Sequence, residues 1–259
     1  MAHVNHGRFV WHDLMSTAPD ADLAFLKTLI GWTVDDRDMG PMGTYHMLMA
    51  GDAGVGGVVG MGPEEEGLPP HWIGYVVVSD LDATLAAVAA AGGKVVVPAF
   101  DIADVGRAAV VVDPHGAAFS PLEPATADDM LPQSPMGPGR FCWWELVTRD
   151  PAAAQAFYGQ VIGWGAHAID MGGRTYWLWT NGDDPMNPGG LMAHPDGGSG
   201  PASWLYYTLV ADVDASTARV PGLGGRVLSE PMDVPGQGRM SVIALPSGAA
   251  LALFRGLDA

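Results

Sequence analysis

Cysteine is nearly absent from this chain of 259 residues. Cys142 stands alone, so no disulfide can close within the chain and a cytoplasmic location is expected. It lies in the apolar run Phe141-Cys142-Trp143-Trp144 and reads as a buried, inert thiol. Positive charge is also scarce. With 12 Lys and Arg against 29 Asp and Glu, the formal net charge is −17. That balance argues against nucleic acid or an anionic membrane as partners, because the cations that would neutralise phosphate groups are missing. No apolar run reaches bilayer-spanning length, and Met1 to Arg8 lack the apolar core of a signal peptide. Neither a Gly-x-Ser-x-Gly elbow nor a His-Glu-x-x-His or Cys-x-x-Cys pair occurs, so a serine nucleophile and the common zinc sites have no support. What is present suits a well-cored, turn-rich globular protein: 48% hydrophobic residues, 36 glycines and 21 prolines.

The organising feature is an internal repeat. Shifted by 132 positions, Gly7-Arg8-Phe9 falls on Gly139-Arg140-Phe141, Trp11 on Trp143, and Ile30-Gly31-Trp32 on Ile162-Gly163-Trp164. The same offset later brings Trp72 to Trp204, Tyr75 to Tyr207, Asp80 to Asp212 and Gly106-Arg107 to Gly238-Arg239. Between the copies, Pro124, Pro132, Pro135 and Pro138 mark 124–139 as a linker, leaving domains at 1–123 and 140–259.

Each half divides again into two units that read β-α-β-β-β. In the first, a β-prone run Phe9 to Leu14 precedes a helix opened by Pro19 with Asp20 and Asp22, whose apolar face holds Leu23, Leu26, Leu29 and Ile30. Strands are expected at Trp32 to Asp38, Thr44 to Met49 and Gly56 to Met61. The pattern restarts with Trp72 to Val78, a helix Asp82 to Ala91, and strands Lys94 to Val97, Arg107 to Val112 and Ala117 to Leu122. Pro221 should shorten the last helix of the second half. Gly54-Val55-Gly56-Gly57 reads as a tight turn. Trp32, Trp72, Trp164 and Trp204 are assigned to the core, and His12 to packing.

Phe141-Cys142-Trp143-Trp144-Glu145-Leu146, Ala156-Phe157-Tyr158 with Ile162-Gly163-Trp164, and Asp113-Pro114-His115-Gly116 resemble the opening strand, first helix and final turn of the vicinal oxygen chelate superfamily, which includes glyoxalases, bleomycin-resistance proteins and dioxygenases. The resemblance covers nearly the whole chain. It implies an α+β fold of tandem domains, each a cupped eight-stranded mixed sheet of two βαβββ modules with helices outside. Metal-dependent members carry His, Gln or Glu on the first strand of each module and Glu near the end of the last. Those places fall here on Trp11, Tyr75, Trp143 and Tyr207, and on Val58 to Gly60, Ser120, Leu191 to Ala193 and Ala252. These are not ligands for a divalent cation, so no metal cofactor is expected.

A nonstandard metal site remains an alternative if His46 turns inward beside Asp13. Strand alternation places Asp13 on the face of Trp11 and Glu145 on that of Trp143. A carboxylate there needs a partner: a cationic ligand group, a metal, or Arg107 and Arg239. Those two arginines themselves read as repeated ion pairs with Asp101 and Asp233. The candidate catalytic residues are therefore Asp13 and Glu145. The candidate ligand-binding residues are Trp11, Tyr45, His46, Tyr75, Ser120, Trp143, Tyr176, Trp177 and Tyr207, since aromatic walls with a few polar anchors suit a small planar ligand. The function expected is metal-free binding of a small metabolite or antibiotic by a monomer or homodimer. A metal-dependent lyase, hydroxylase or dioxygenase and a non-catalytic scaffold are the alternatives.

Overall fold

Strand alternation and helix-terminating glycines lay out the same unit four times. The first module is β1 (Phe9–Ser16), α1 (Pro19–Leu29), β2 (Thr33–Asp38), β3 (Thr44–Ala50) and β4 (Ala53–Gly60). The second is β5 (His71–Val77), α2 (Leu81–Ala90), β6 (Lys94–Ile102), β7 (Gly106–Val112) and β8 (Ala118–Pro124). The third is β9 (Phe141–Thr148), α3 (Pro151–Val161), β10 (Gly165–Asp170), β11 (Thr175–Thr180) and β12 (Gly190–Ala193). The fourth is β13 (Ser203–Leu209), α4 (Val213–Arg219), β14 (Arg226–Val234), β15 (Gly238–Ala244) and β16 (Ala250–Gly256). This is a computed structural model, and it describes residues 5–40, 43–65, 67–126, 137–182, 189–195 and 200–257. Most of the segment expected to be a linker lies outside the described residues.

The fold class is the one expected, a tandem α+β arrangement of two eight-stranded mixed sheets. The strand orders are β2-β3-β4-β1-β5-β8-β7-β6 and β10-β11-β12-β9-β13-β16-β15-β14. Within each module the first strand runs parallel to the last, as in β1 with β4 and β9 with β12, a connection that needs the intervening helix. Helix starts follow the sequence: the carboxylates of Asp80, Asp150 and Asp212 accept hydrogen bonds from the backbone N–H of Ala83, Ala153 and Ala215. As expected from Pro221, α4 stops at Arg219, and a 3-10 turn Pro221–Leu223 follows. The strand expected to end at Val97 continues to Ile102. It passes through Pro98 because β6 is an edge strand, where a missing N–H costs no ladder bond. Among the described residues, no helix is long and apolar enough to cross a membrane.

The chain packs as two compact units, and each takes modules from both halves. One holds the second and third modules with the start of β1; the other holds the first and fourth. In the former, α2 packs on α3, and Phe9 stacks on Trp144 at 5.5 Å with Trp164 and Trp204 beside it. In the latter, Phe141 takes the role of Phe9, with Trp32 and Trp72 around it and His12 where the other unit has Trp144. The indole N–H of Trp164 donates to the Gly7 carbonyl at 3.0 Å, and that of Trp32 to Gly139 at 2.7 Å. Both glycines have φ of +78°, a conformation in which a side chain is strained. All four tryptophans assigned to the core are buried. Each such side chain contributes about 1.5–3 kcal/mol through area removed from water.

His12 is fully enclosed. Its ring centroid lies 3.9 Å from that of Phe141, and its Nδ1–H donates to the Val55 carbonyl at 3.1 Å. Burial pushes its pKa down from 6.5 to about 3, with the Val55 hydrogen bond opposing. The folded protein therefore holds a neutral imidazole while the unfolded chain takes up a proton below 6.5. The stability this supplies is complete above pH 6.5 and is lost as pH falls toward 3, at about 1.4 kcal/mol per pH unit. We predict that His12→Phe, which keeps the ring packing, flattens the fall in unfolding free energy between about pH 6.5 and 5. Urea denaturation across that range checks it, and equal slopes for the two proteins would contradict the assignment.

Candidate functional site

On β1 the side chains of His12, Leu14 and Ser16 point into the helix-side core, and that of Asp13 lies on the opposite face. Burial of Asp13, at 7% exposure, requires a hydrogen-bonding partner. The partner comes from β3: Tyr45 Oη donates to Asp13 Oδ1 at 2.6 Å. Between them β4 contributes Gly57, the Cα neighbour of Asp13 in the parallel pair. A Cβ on Gly57 would overlap the Tyr45 ring. The glycine is therefore the floor on which the phenol lies to reach the carboxylate.

The third module repeats the arrangement. Glu145, also 7% exposed, accepts a hydrogen bond at Oε2 from Tyr176 Oη at 2.9 Å. Gly190 is the β12 neighbour of Glu145, and a Cβ there would overlap the Tyr176 hydroxyl. Each pair lies inside one compact unit, Asp13–Tyr45 with the first module and Glu145–Tyr176 with the third.

His46 is not beside Asp13. β3 pairs with β4 so that Met47 faces Gly57 and His46 faces Val58, and alternation then sends Tyr45 and His46 to opposite faces. His46 instead meets Asp36, its cross-strand neighbour on β2, at 2.7 Å. Trp177, its counterpart, is half-buried on β11 between Ala168 and Leu191. Tyr75 and Ser120 are neighbours across β5 and β8, and the Ser120 hydroxyl donates to the Ala109 carbonyl at 2.8 Å. Tyr207 packs edge-on against Phe254 and its hydroxyl points at Met240 Sδ, 3.8 Å away. Trp11 and Trp143 are half-buried on β1 and β9.

Two expectations are corrected. Gly54-Val55-Gly56-Gly57 is no turn but part of β4. Its glycines permit close approach: a Cβ on Gly56 would strike the His12 carbonyl, as one on Gly57 would strike Tyr45. Arg107 and Arg239 do not serve Asp13 or Glu145. Arg107 donates to Asp82 at 3.2 Å and faces Glu123 at 3.5 Å. Arg239 donates to Asp214 at 2.6 and 2.8 Å and to Asp233 at 2.8 Å. Each arginine thereby ties a strand to the first turn of the helix in its own module, β7 to α2 and β15 to α4, and holds Asp82 and Asp214 below the usual carboxylate range through its hydrogen bonds. The Asp233 pair is as read; in the first half the bond goes to Asp82 rather than Asp101. Depressions of about 380 and 370 Å³ lie beside Arg107 and Asp214, and neither contains a carboxylate–tyrosine pair. Burial pushes the pKa of the half-buried Cys142 thiol up to about 12, which disfavours the reactive thiolate.

No family model matches the chain. The Mycobacterium tuberculosis protein "Putative glyoxylase CFP32" is 35% identical over 249 residues, covering 95% of this chain and 93% of that protein. "Anthracycline biosynthesis protein DnrV" of Streptomyces peucetius is 32% identical over 259 residues, with 95% and 92% covered. Among solved structures, a Mn(II)-bound glyoxalase from Novosphingobium aromaticivorans superposes with a TM-score of 0.64 at 15% identity, covering 98% of this chain and 83% of that one. The 2,2',3-trihydroxybiphenyl 1,2-dioxygenase of Sphingomonas wittichii gives 0.63 at 17% identity, covering 97% and 91%. At such identities these two structures show a shared fold.

A divalent cation fits this donor set poorly. Among the described residues, no three His, Cys, Asp or Glu side chains come together. Asp13 and Glu145 each accept a phenol hydrogen, and the side chains of Trp11 and Trp143 on the same strands and of Val58 and Leu191 on the adjoining ones offer no ligand atoms.

If the glycine floors are what seat the phenols, Gly57→Ala and Gly190→Ala each cost about 1–3 kcal/mol by overpacking. The cost of Gly57→Ala should fall to less than half in a Tyr45→Ala background, as measured by a double-mutant cycle in urea. An equal cost in both backgrounds would show that the tyrosine is not what the methyl displaces.

Proposed function

Because the chain belongs to the vicinal oxygen chelate superfamily, we propose that it binds a small, planar, hydroxylated aromatic metabolite at its carboxylate–tyrosine pairs, without a divalent cation. The observation that carries this reading is the pair itself. An enclosed carboxylate and a phenol are held together on the strand face opposite the helix core, at Asp13–Tyr45 and at Glu145–Tyr176. A carboxylate can accept several hydrogen bonds at once, and bonds from a phenolic ligand to an ionised acceptor are short and strong. Half-buried aromatic side chains such as Trp11, Tyr75, Trp143 and Trp177 suit stacking against a planar ring. Their participation, and that of Ser120 and Tyr207, belongs to the same proposal.

The kinship with DnrV and with a second anthracycline biosynthesis protein, DauV of a Streptomyces strain, 31% identical over 259 residues, supports a polycyclic phenolic ligand. The name of CFP32 and the Mn(II)-bound structural neighbour raise the alternative of a metal-assisted lyase. The donor set weighs against it, since among the described residues one carboxylate and one phenol in each of the first and third modules is too sparse for a cation held by three or four protein ligands.

Tryptophan fluorescence in the presence of EDTA, titrated with 1,4-dihydroxyanthraquinone, tests the reading. Saturable quenching is expected, weakened about tenfold or more, or ~1.4 kcal/mol, in the Asp13→Asn, Glu145→Gln double variant. Quenching that appears only after Mn(II) is added, or that ignores both substitutions, would overturn it.

A further inference from the structure

We infer that the chain carries two separate ligand sites, one in each half, and that the two are not equivalent. The inference rests on the ligand-binding reading above and goes further, to the number and independence of the sites.

It stands on a comparison of the halves with each other. Buried polar groups on the helix side have diverged between the copies. His12 corresponds to Trp144, and Asp22 to Ala154. Asp113, which with Tyr158 and Trp204 forms a buried hydrogen-bonded chain, corresponds to Leu245, and Tyr158 to Leu26. On the opposite face the carboxylate–phenol pair is present in both copies, with the glycine beneath each tyrosine. Internal packing does not explain that retention: an apolar residue of similar shape in place of a buried polar pair is often neutral or stabilising. A pair kept twice, while the buried His12, Asp22 and Asp113 of the helix side have no polar counterpart in the other copy, is what two working sites require.

The sites also differ in reach. Asp13 sits on the shorter arm with the phenol at 2.6 Å, whereas Glu145 has one more methylene and its phenol at 2.9 Å. Because the two pairs belong to different compact units, loss of one leaves the other intact.

Equilibrium dialysis against 1,4-dihydroxyanthraquinone, on the full chain, counts the sites. The wild type should bind about two molecules per chain with two distinguishable affinities. Asp13→Asn with Tyr45→Phe should leave one, Glu145→Gln with Tyr176→Phe should leave the other, and the fourfold variant none. The affinity remaining in each pair variant should match one of the wild-type values within about twofold, as expected of distant sites. Gly57→Ala, which displaces Tyr45 while keeping every polar group, supplies a second route to weakening the first site alone. Circular dichroism and melting curves report whether each variant is folded. One molecule per chain in the wild type, abolished by one pair of substitutions and indifferent to the other, would overturn the two-site inference while sparing the binding reading. No saturable binding in the wild type would overturn the binding reading itself.

Discussion

A phenol lying flat across a glycine to reach a carboxylate is the constraint on which the sheet faces of this protein depend. An enclosed Asp or Glu with no partner would be driven to protonate or to leave the interior. Tyr45 and Tyr176 supply one such partner each, and the strand between carries Gly57 or Gly190, where a Cβ would overlap the phenol. Three residues on three neighbouring strands must therefore agree. The parallel pairing that sets Gly57 beside Asp13 and Gly190 beside Glu145 makes them agree twice.

Behind those faces, each half has solved the same packing problem with different chemistry. Phe9 stacks on Trp144 in one compact unit, and Phe141 packs at a tilt against His12 in the other. One unit joins its modules through Tyr158 and Asp113. The other does so through Asp22, buried completely, which accepts from Ser16 Oγ at 2.6 Å and from the backbone N–H of Ser247 at 3.0 Å. In the first unit the Trp204 indole donates to Tyr158 at 3.1 Å. Its counterpart Trp72 lies in the unit where the place of that tyrosine is taken by Leu26, and its buried indole N–H has no partner among the described residues. Such an orphan costs about 1–3 kcal/mol and marks a point at which the two copies differ.

Much of this was legible in the sequence, for reasons that are local. The offset of 132 positions, the glycine-closed helices and the period-2 runs are each encoded within a few residues, so the module count and the tandem α+β architecture could be read directly. Asp13, Tyr45, Glu145 and Tyr176 stood out as polar or amphipathic groups on apolar strands. Their pairing was not legible. Whether Tyr45 or His46 faces Asp13 is decided by a one-residue choice of register between β3 and β4, and a slip of one would exchange them. The role of Gly57 was hidden for a related reason: four residues with three glycines look like a turn unless the neighbouring strands' need for close approach is known. Nor could the repeat show that the second module packs with the third and the first with the fourth, because an internal alignment reveals likeness and not adjacency.

The central claim is that the two carboxylates accept phenol hydrogen bonds and do not ligate a divalent metal. Elemental analysis of untagged protein, purified without chelators, incubated with Mn(II), Zn(II) and Fe(II) and then desalted, tests it most directly. The account predicts far less than one equivalent of any divalent metal per chain, with no gain from the incubation. Metal approaching one or two equivalents, retained through desalting and lost in Asp13→Asn or Glu145→Gln, would contradict it and make those carboxylates ligands.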